Sequence, residues 1–256
     1  YWGSDRNSMD ANPDKIFAGE QEKGSKFGLG QPAVYDIDND GYDDIILAGT
    51  RSKKDRTDGA YLFYGNTKDL MDTSHDLIFT GGDQRVQFGM TISCGDVDND
   101  GYGDTVIGTY SYPPEQQGRI YLYYGDNKPN MDAKADVVFE VESEGDDYVG
   151  AGIVCVDQNR DGFDDVVIGA RGYNNRQGRA YIFHGNSRRS MDTDPDMTFD
   201  GEVEQSNYGF REVCGDIDGD KVNDLIIGAN RFRQRIGRVY VYWGNELAGP
   251  DPKPGR

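Results

Sequence analysis

The chain has 256 residues, with 27 Lys+Arg against 46 Asp+Glu, a formal net charge of −19 and 12% aromatic residues. That balance excludes a protein drawn to a phosphate backbone by bulk charge, so nucleic acid is not an expected partner. No apolar run approaches the ~20 residues of a membrane-spanning helix, and the aromatics and Val/Ile clusters exclude a wholly disordered chain.

Taken in chain order, Tyr1-Trp2-Gly3 comes first, followed by MDANPDKIF, whose Lys15-Ile16-Phe17 reads as a short strand. Four repeats then occupy approximately 15–65, 76–125, 136–185 and 196–244, with a Pro-rich tail over 245–256. Each carries an aromatic or Val before Gly: Phe27-Gly28, Phe88-Gly89, Val149-Gly150 and Tyr208-Gly209. An acidic block follows, starting at Asp36, Asp96, Asp157 and Asp216, with spacings of 60, 61 and 59 residues. Next comes a strand-like run ending at Gly65, Gly125, Gly185 and Gly244. After the first three stand MDTSHDLIF, MDAKADVVF and MDTDPDMTF.

In the first unit the β-branched and aromatic runs fall near 30–35, 45–49, 60–64 and 76–80, split by Gly/Asp/Asn turns. No stretch holds a helical period over ten residues. A four-stranded antiparallel sheet repeated every ~60 residues predicts an all-β fold, a β-propeller with four blades in this chain. The opening Tyr-Trp-Gly matches Tyr242-Trp243-Gly244, so the N-terminal strand can complete the C-terminal blade and close a ring. Extra blades from a longer array, or from another chain, are equally compatible with that match.

The acidic blocks have the form D-x-[DN]-x-D-x-x-x-D, which offers oxygen ligands at positions 1, 3, 5 and 9 and a backbone carbonyl at 7. Ca²⁺ suits such a set, because it accepts 6–8 oxygens in flexible geometry. The predicted ligands are Asp36, Asp38, Asp40, Tyr42 and Asp44 in the first loop, and Asp96, Asp98, Asp100, Tyr102 and Asp104 in the second. The third loop offers Asp157, Asn159, Asp161, Phe163 and Asp165, and the fourth Asp216, Asp218, Asp220, Val222 and Asp224. Gly41, Gly101 and Gly162 supply the sharp turn at position 6; Lys221 replaces them in loop four, which marks that site as the weakest. An EF-hand is excluded, since its position-12 Glu is replaced by Leu47, Ile107, Ile168 and Ile227. Four ions in one register would neutralise carboxylates that otherwise repel one another.

Phe-Gly, the acidic loop, Gly-Ala and GR-x-Y together resemble the FG-GAP repeat of integrin α-subunit propellers. The resemblance implies Ca²⁺ in the loop between the first and second strands of each blade. The Pro of Gly-Ala-Pro is absent here, as in Ala48-Gly49-Thr50 and Gly169-Ala170-Arg171. The family's integrin propellers have seven blades, against four in this chain.

Neither histidine, His75 or His184, has a nucleophile at a recognisable spacing, so no catalytic site is expected. Cys94, Cys155 and Cys214 each stand two residues before the first loop Asp and read as small core residues. Strand order puts the acidic loops at one end of the blades and the second-to-third connections at the other. There, Arg51, Lys53, Arg171, Arg176, Arg231 and Arg233, with Tyr110 and Tyr112, form a candidate surface for an anionic ligand. The expected function is a secreted, cell-surface or periplasmic Ca²⁺-binding recognition or adhesion module for a protein or glycan. A propeller part of a secreted polysaccharide-degrading enzyme, or a scaffold subunit of an extracellular assembly, are the rival readings. Membrane insertion is not expected.

Overall fold

The computed structural model describes residues 13–19, 26–28, 30–50, 58–81, 88–109, 118–141, 148–187, 189 and 191–244. The repeat folds as the patterning predicts. Strands β1 (Ala33–Tyr35), β2 (Asp44–Thr50), β3 (Asp58–Phe63) and β4 (Leu77–Phe79) form one antiparallel sheet in chain order. Strands β5 (Phe88–Gly95), β6 (Asp104–Thr109), β7 (Ile120–Tyr123) and β8 (Val137–Phe139) form the second. The third holds β9 (Val149–Val156), β10 (Asp165–Ala170), β11 (Arg179–Phe183) and β12 (Met197–Asp200). The fourth has three strands among the described residues, β13 (Tyr208–Gly215), β14 (Asp224–Ala229) and β15 (Arg238–Tyr242).

The sheets pack face to face in sequence, with β1 against β5, β5 against β9 and β9 against β13. Every residue of β6 and β10 is buried, because both faces of these strands are covered by a neighbouring sheet. This explains their unbroken apolar runs, where a half-exposed strand would alternate. Each junction has its own core. Ile46, Leu62 and Phe79 meet Ile92 and Tyr123 at the first, and Val106, Leu122 and Phe139 meet Ile153 and Phe183 at the second. Val167, Ile182 and Phe199 meet Leu225 and Tyr242 at the third.

A repeated aromatic pair ties the sheets together. The fourth-strand Phe of one unit packs on a third-strand ring of the next: Phe79–Tyr123 at 4.6 Å, Phe139–Phe183 at 4.7 Å and Phe199–Tyr242 at 4.7 Å. Such pairs contribute about 0.5–1.5 kcal/mol each beyond the area they bury. Phe17 makes the same contact with Phe63 at 4.8 Å. Residues 15–17 thus lie where the fourth strand of a unit preceding the first would lie.

The outer sheets differ from the inner ones. Val239 is 64% exposed and Ile217 is 54% exposed, while their counterparts Ala60, Ile120 and Ala180, and Ile37 and Val97, are at most 1% exposed. Val34 of the first sheet is 57% exposed.

The aromatic-Gly signature is a backbone device. Gly28, Gly89, Gly150 and Gly209 all have φ between +74° and +84°. In β5, β9 and β13 the pairing with the second strand shifts register at this point. A Cβ on Gly89 would also lie 2.8 Å from the Ala48 Cβ. Gly89→Ala is therefore expected to destabilise by roughly 2–4 kcal/mol, combining left-handed strain with overpacking. Denaturant unfolding reads this, and an unchanged midpoint would contradict it.

Candidate functional site: four acidic loops and an arginine-rich end

The acidic loops connect the first two strands of each sheet and are built around backbone N–H groups. The position-1 carboxylate accepts from two of them. Asp36 bonds Asp40 N at 3.1 Å and Gly41 N at 2.9 Å, Asp96 bonds Asp100 N and Gly101 N at 3.0 Å each, and Asp157 and Asp216 do likewise. Such curling needs left-handed residues at positions 4 and 6. Position 6 has φ of +89°, +90° and +91° at Gly41, Gly101 and Gly162. Lys221 takes the same region at +70°, which costs about 1–2 kcal/mol for a residue with a Cβ. Asn39, Asn99, Arg160 and Gly219 hold position 4.

The position-9 carboxylate anchors the loop to the rest of its sheet. Asp104 accepts from Val97 N at 2.7 Å and Gly125 N at 2.8 Å. Asp44, Asp165 and Asp224 make the matching pairs with Ile37 and Gly65, Gln158 and Gly185, and Ile217 and Gly244. Burial pushes the Asp104 carboxyl up to about 8 and that of Asp44 to about 7, against the pull of those bonds. This anchoring role is invisible in the sequence, where position 9 reads only as a ligand.

Positions 3 and 5 are held differently. Asp38 and Asp98 are buried, and Asp98 Oδ1 has no hydrogen-bond partner. A shielded, unpartnered carboxylate oxygen among hard oxygen donors fits a divalent cation such as Ca²⁺. Carboxylate oxygens of Asp36, Asp38 and Asp40 lie within 4.8 Å of one another, as do those of Asp96, Asp98 and Asp104, and of Asp216, Asp218 and Asp224. Loop four keeps its cluster despite Lys221. In loop three, Asn159 bonds Asp161 through both its amide oxygen and its nitrogen, and no comparable group of three carboxylates forms there among the described residues. The predicted carbonyl ligands sit on residues whose N–H bonds the position-5 carboxylate, as Tyr42, Tyr102, Phe163 and Val222 do at 2.8–3.0 Å.

Contacts in such a repeat are expected to stay within a unit, yet the loops are chained to one another. Gly103 N donates to Asp36 O at 3.1 Å, Asp164 N to Asp96 O at 3.0 Å, and Asn223 Nδ2 to Asp157 O at 3.0 Å.

The opposite end carries the basic connections. Arg51, Lys53, Tyr110 and Tyr112 lie outside the described residues. Arg171 stacks over Tyr148 at 4.4 Å and Phe210 at 5.5 Å, with Arg176 6.0 Å from the same tyrosine ring. Burial, then the charges of Arg176, Arg231 and Arg211, hold the Arg171 guanidinium below its ordinary value. Four arginines of two units thus share one region. Two others are paired at home: Arg179 with Asp200 at 2.5 and 2.8 Å, and Arg238 with Glu202 at 2.7 Å. Among the described residues no ion pair holds Arg176, Arg231 or Arg233.

The two basic connections contain α1 (Tyr173–Arg176) and α2 (Phe232–Arg235), single turns built on left-handed residues. Asn174, Asn175 and Arg176 have φ of +45°, +55° and +61°, and Arg233, Gln234 and Arg235 have +40°, +62° and +71°. Three consecutive residues of this kind store a few kcal/mol of strain, and such strain gathers at functional sites.

His75 stacks edge-on against Tyr61, and the His184 backbone donates to Asp196. The three cysteines are free and half-buried, and burial pushes the Cys94 and Cys214 thiols up to about 12.

Residues 142–183 and 213–242 match the family model described as the FG-GAP repeat. The chain carries FG-GAP repeats. Phosphatidylinositol-glycan-specific phospholipase D of Rattus norvegicus is 28% identical over 182 residues, covering 66% of this chain and 22% of that protein. Integrin alpha-8 of Gallus gallus is 31% identical over 166 residues, covering 59% of this chain and 15% of its own length. The chain therefore spans about a fifth or less of the length of these curated relatives. Among solved structures, Bacillus licheniformis rhamnogalacturonan lyase PL11 superposes with a TM-score of 0.51 at 14% identity, over 85% of this chain and 47% of that one. At that identity the likeness concerns the fold alone.

Proposed function

We propose that this chain is part of a Ca²⁺-binding β-propeller that acts outside the cell as a recognition module for an anionic glycan or an acidic protein segment. The calcium reading rests on the buried, unpartnered Asp98 oxygen inside a loop whose other carboxylates are already organised by the backbone. Aspartates of loops one, two and four, with the neighbouring carbonyls, would hold the ion, which supplies charge neutralisation and cross-links each loop. Millimolar extracellular Ca²⁺ suits open loops of modest affinity. No described helix is long and apolar enough to cross a membrane.

The propeller reading rests on the face-to-face stacking of sheets and on the exposed Val34, Ile217 and Val239, positions that further blades would cover. The N-terminal strand, a longer array or another chain could supply that cover.

The recognition reading rests on Arg171, Arg176 and Arg231 of the two basic connections and Arg211 of β13, gathered beside two aromatic rings. Guanidinium groups bind carboxylates in fixed fork geometry. It assigns the chain binding rather than catalysis. Affinity electrophoresis through polygalacturonate tests it: the protein should be retarded in low salt, and Arg176→Glu/Arg231→Glu should run at least several-fold freer. Equal migration of the two would defeat the assignment, and release of oligosaccharide products would point to an enzyme instead.

A further inference from the structure

A basic side chain recurs just past the third strand of each complete unit. Lys68, Lys128 and Arg189 follow Gly65, Gly125 and Gly185 by three, three and four residues. Lys128 and Arg189 do not serve their own sheets. Each crosses to the acidic loop of the preceding unit. Lys128 Nζ lies 2.9 Å from Asp38 Oδ2 and 2.7 Å from Asp40 Oδ2, beside the Tyr64 ring at 4.8 Å. Arg189 Nε lies 3.2 Å from Asp98 Oδ2, and its Nη2 lies 2.6 Å from Asp100 Oδ2 and 2.5 Å from the Gly125 carbonyl. Lys68 likewise reaches back, to Asp14 at 3.7 Å.

The side chains meet the carboxylates of positions 3 and 5. Positions 1 and 9 give both oxygens to backbone N–H groups, whereas 3 and 5 each keep an Oδ2 that no backbone N–H bonds, and it is these oxygens that Lys128 and Arg189 meet. A divalent ion entering the loop needs those same oxygens. An ammonium or guanidinium within ~3 Å of them would be pressed against the ion, and like charges at that range repel strongly even when partly solvated. The pairing also crosses a unit boundary, so whatever displaces it loosens or re-forms a junction between sheets.

We infer that Lys128 and Arg189 are exchangeable counter-cations: each clasps the preceding unit's loop when it is ion-free, and must withdraw before that loop takes a divalent ion. This rests on the calcium reading above. The two residues therefore lower the ion affinity of loops one and two and make their junctions ion-dependent. Loop three is built differently, since its Arg160 turns to the carbonyls of Asp220 and Lys221 at 3.0 and 3.1 Å.

The test uses the full chain with Lys128→Met, Arg189→Met and both together; methionine keeps much of the stem and loses the charge. Calorimetric Ca²⁺ titration should show one site tightened about threefold to tenfold in each single variant and two in the double. The same variants should melt lower than wild type in EDTA, where the clasp is lost without replacement, and Lys128→Arg should restore wild-type behaviour in both assays. Ca²⁺ binding by wild type with unchanged or weakened affinity in the methionine variants overturns the exchange and leaves the calcium reading standing. A wild type silent to Ca²⁺ alongside a double variant that binds it would support the exchange in its strongest form. Silence in both overturns the calcium reading and the exchange with it.

Discussion

Glu212→Gln is expected to stabilise the chain at pH 9, raising Tm by ~10 °C or more, with little effect at pH 4. Glu212 stands on β13 where the matching residues of β5 and β9 are Ile92 and Ile153, both buried in sheet junctions. Both of its carboxylate oxygens are shielded from solvent and have no hydrogen-bond partner, although the residue as a whole is only half-buried. The carboxyl is seated against Gly152 and Gly169 of the third sheet, where a β-carbon on either glycine would collide with it. Burial pushes its pKa from 4.5 up to about 8, with the Arg211 charge pulling the other way.

The sign follows from linkage. The folded state holds this proton more tightly than the unfolded chain. The residue's contribution is therefore fully present below 4.5, declines as pH rises, and is gone once pH passes about 8. A shift of that size amounts to on the order of 5 kcal/mol, at 1.36 kcal/mol per unit. For a chain of this length each kcal/mol moves Tm by ~2–4 °C. Glutamine keeps the shape and never ionises, so the gap between variant and wild type should open between pH 4.5 and 8 and then level off. A gap independent of pH would show that the carboxyl finds water or a cation in solution.

Saturating Ca²⁺ is expected to raise Tm by ~15 °C or more over the same protein in EDTA. A ligand that binds only the folded state adds about 2.7 kcal/mol per site at a hundred times its Kd. The carboxylate clusters of loops one, two and four would together contribute ~8 kcal/mol on that scale. Asp98→Asn should remove more than a third of the calcium-dependent gain, acting first through the loop whose buried oxygen is left without a partner. Because Asp164 bonds the Asp96 carbonyl and Gly103 bonds that of Asp36, losing one site should also weaken its neighbours, so the loss should exceed one site's share. Coincident melts with and without the ion would remove calcium from the account. Mg²⁺ at equal concentration should do much less, since these loops do not offer a small, regular octahedron.

Much of the architecture was legible beforehand, and the reason lies in repetition. A single DIDNDGYDD block could be an acidic turn, but four in one register constrain each other, and the strands flanking them fall within two or three residues of their expected places. Less was legible at the site. Position 9 looked like a ligand, and it is first a backbone anchor in every loop. Lys221 looked like a defect, yet its backbone accepts the left-handed turn and the fourth cluster survives. Asn159 reads as a ligand in the sequence, and its amide instead bonds Asp161. Lys128, Arg189 and Glu212 gave no usable signal, although Glu212 could have been noticed as an acid in an isoleucine column of the repeat.

What the sequence determined by itself is therefore the set of local facts: strand periodicity, the glycines that permit positive φ, and the placing of carboxylates along a nine-residue turn. Those depend on a few neighbouring residues and on backbone sterics, which a repeat displays four times over. What only the tertiary structure decided is which charges meet. Lys128 is 88 residues from Asp40, Arg189 is 89 from Asp100, and Glu212 lies against a different sheet from its own. These partners are chosen by the stacking of one sheet on the next. That stacking is driven by non-directional burial of Phe79, Phe139 and Phe199, and carries no trace in the spacing of the charges it brings together.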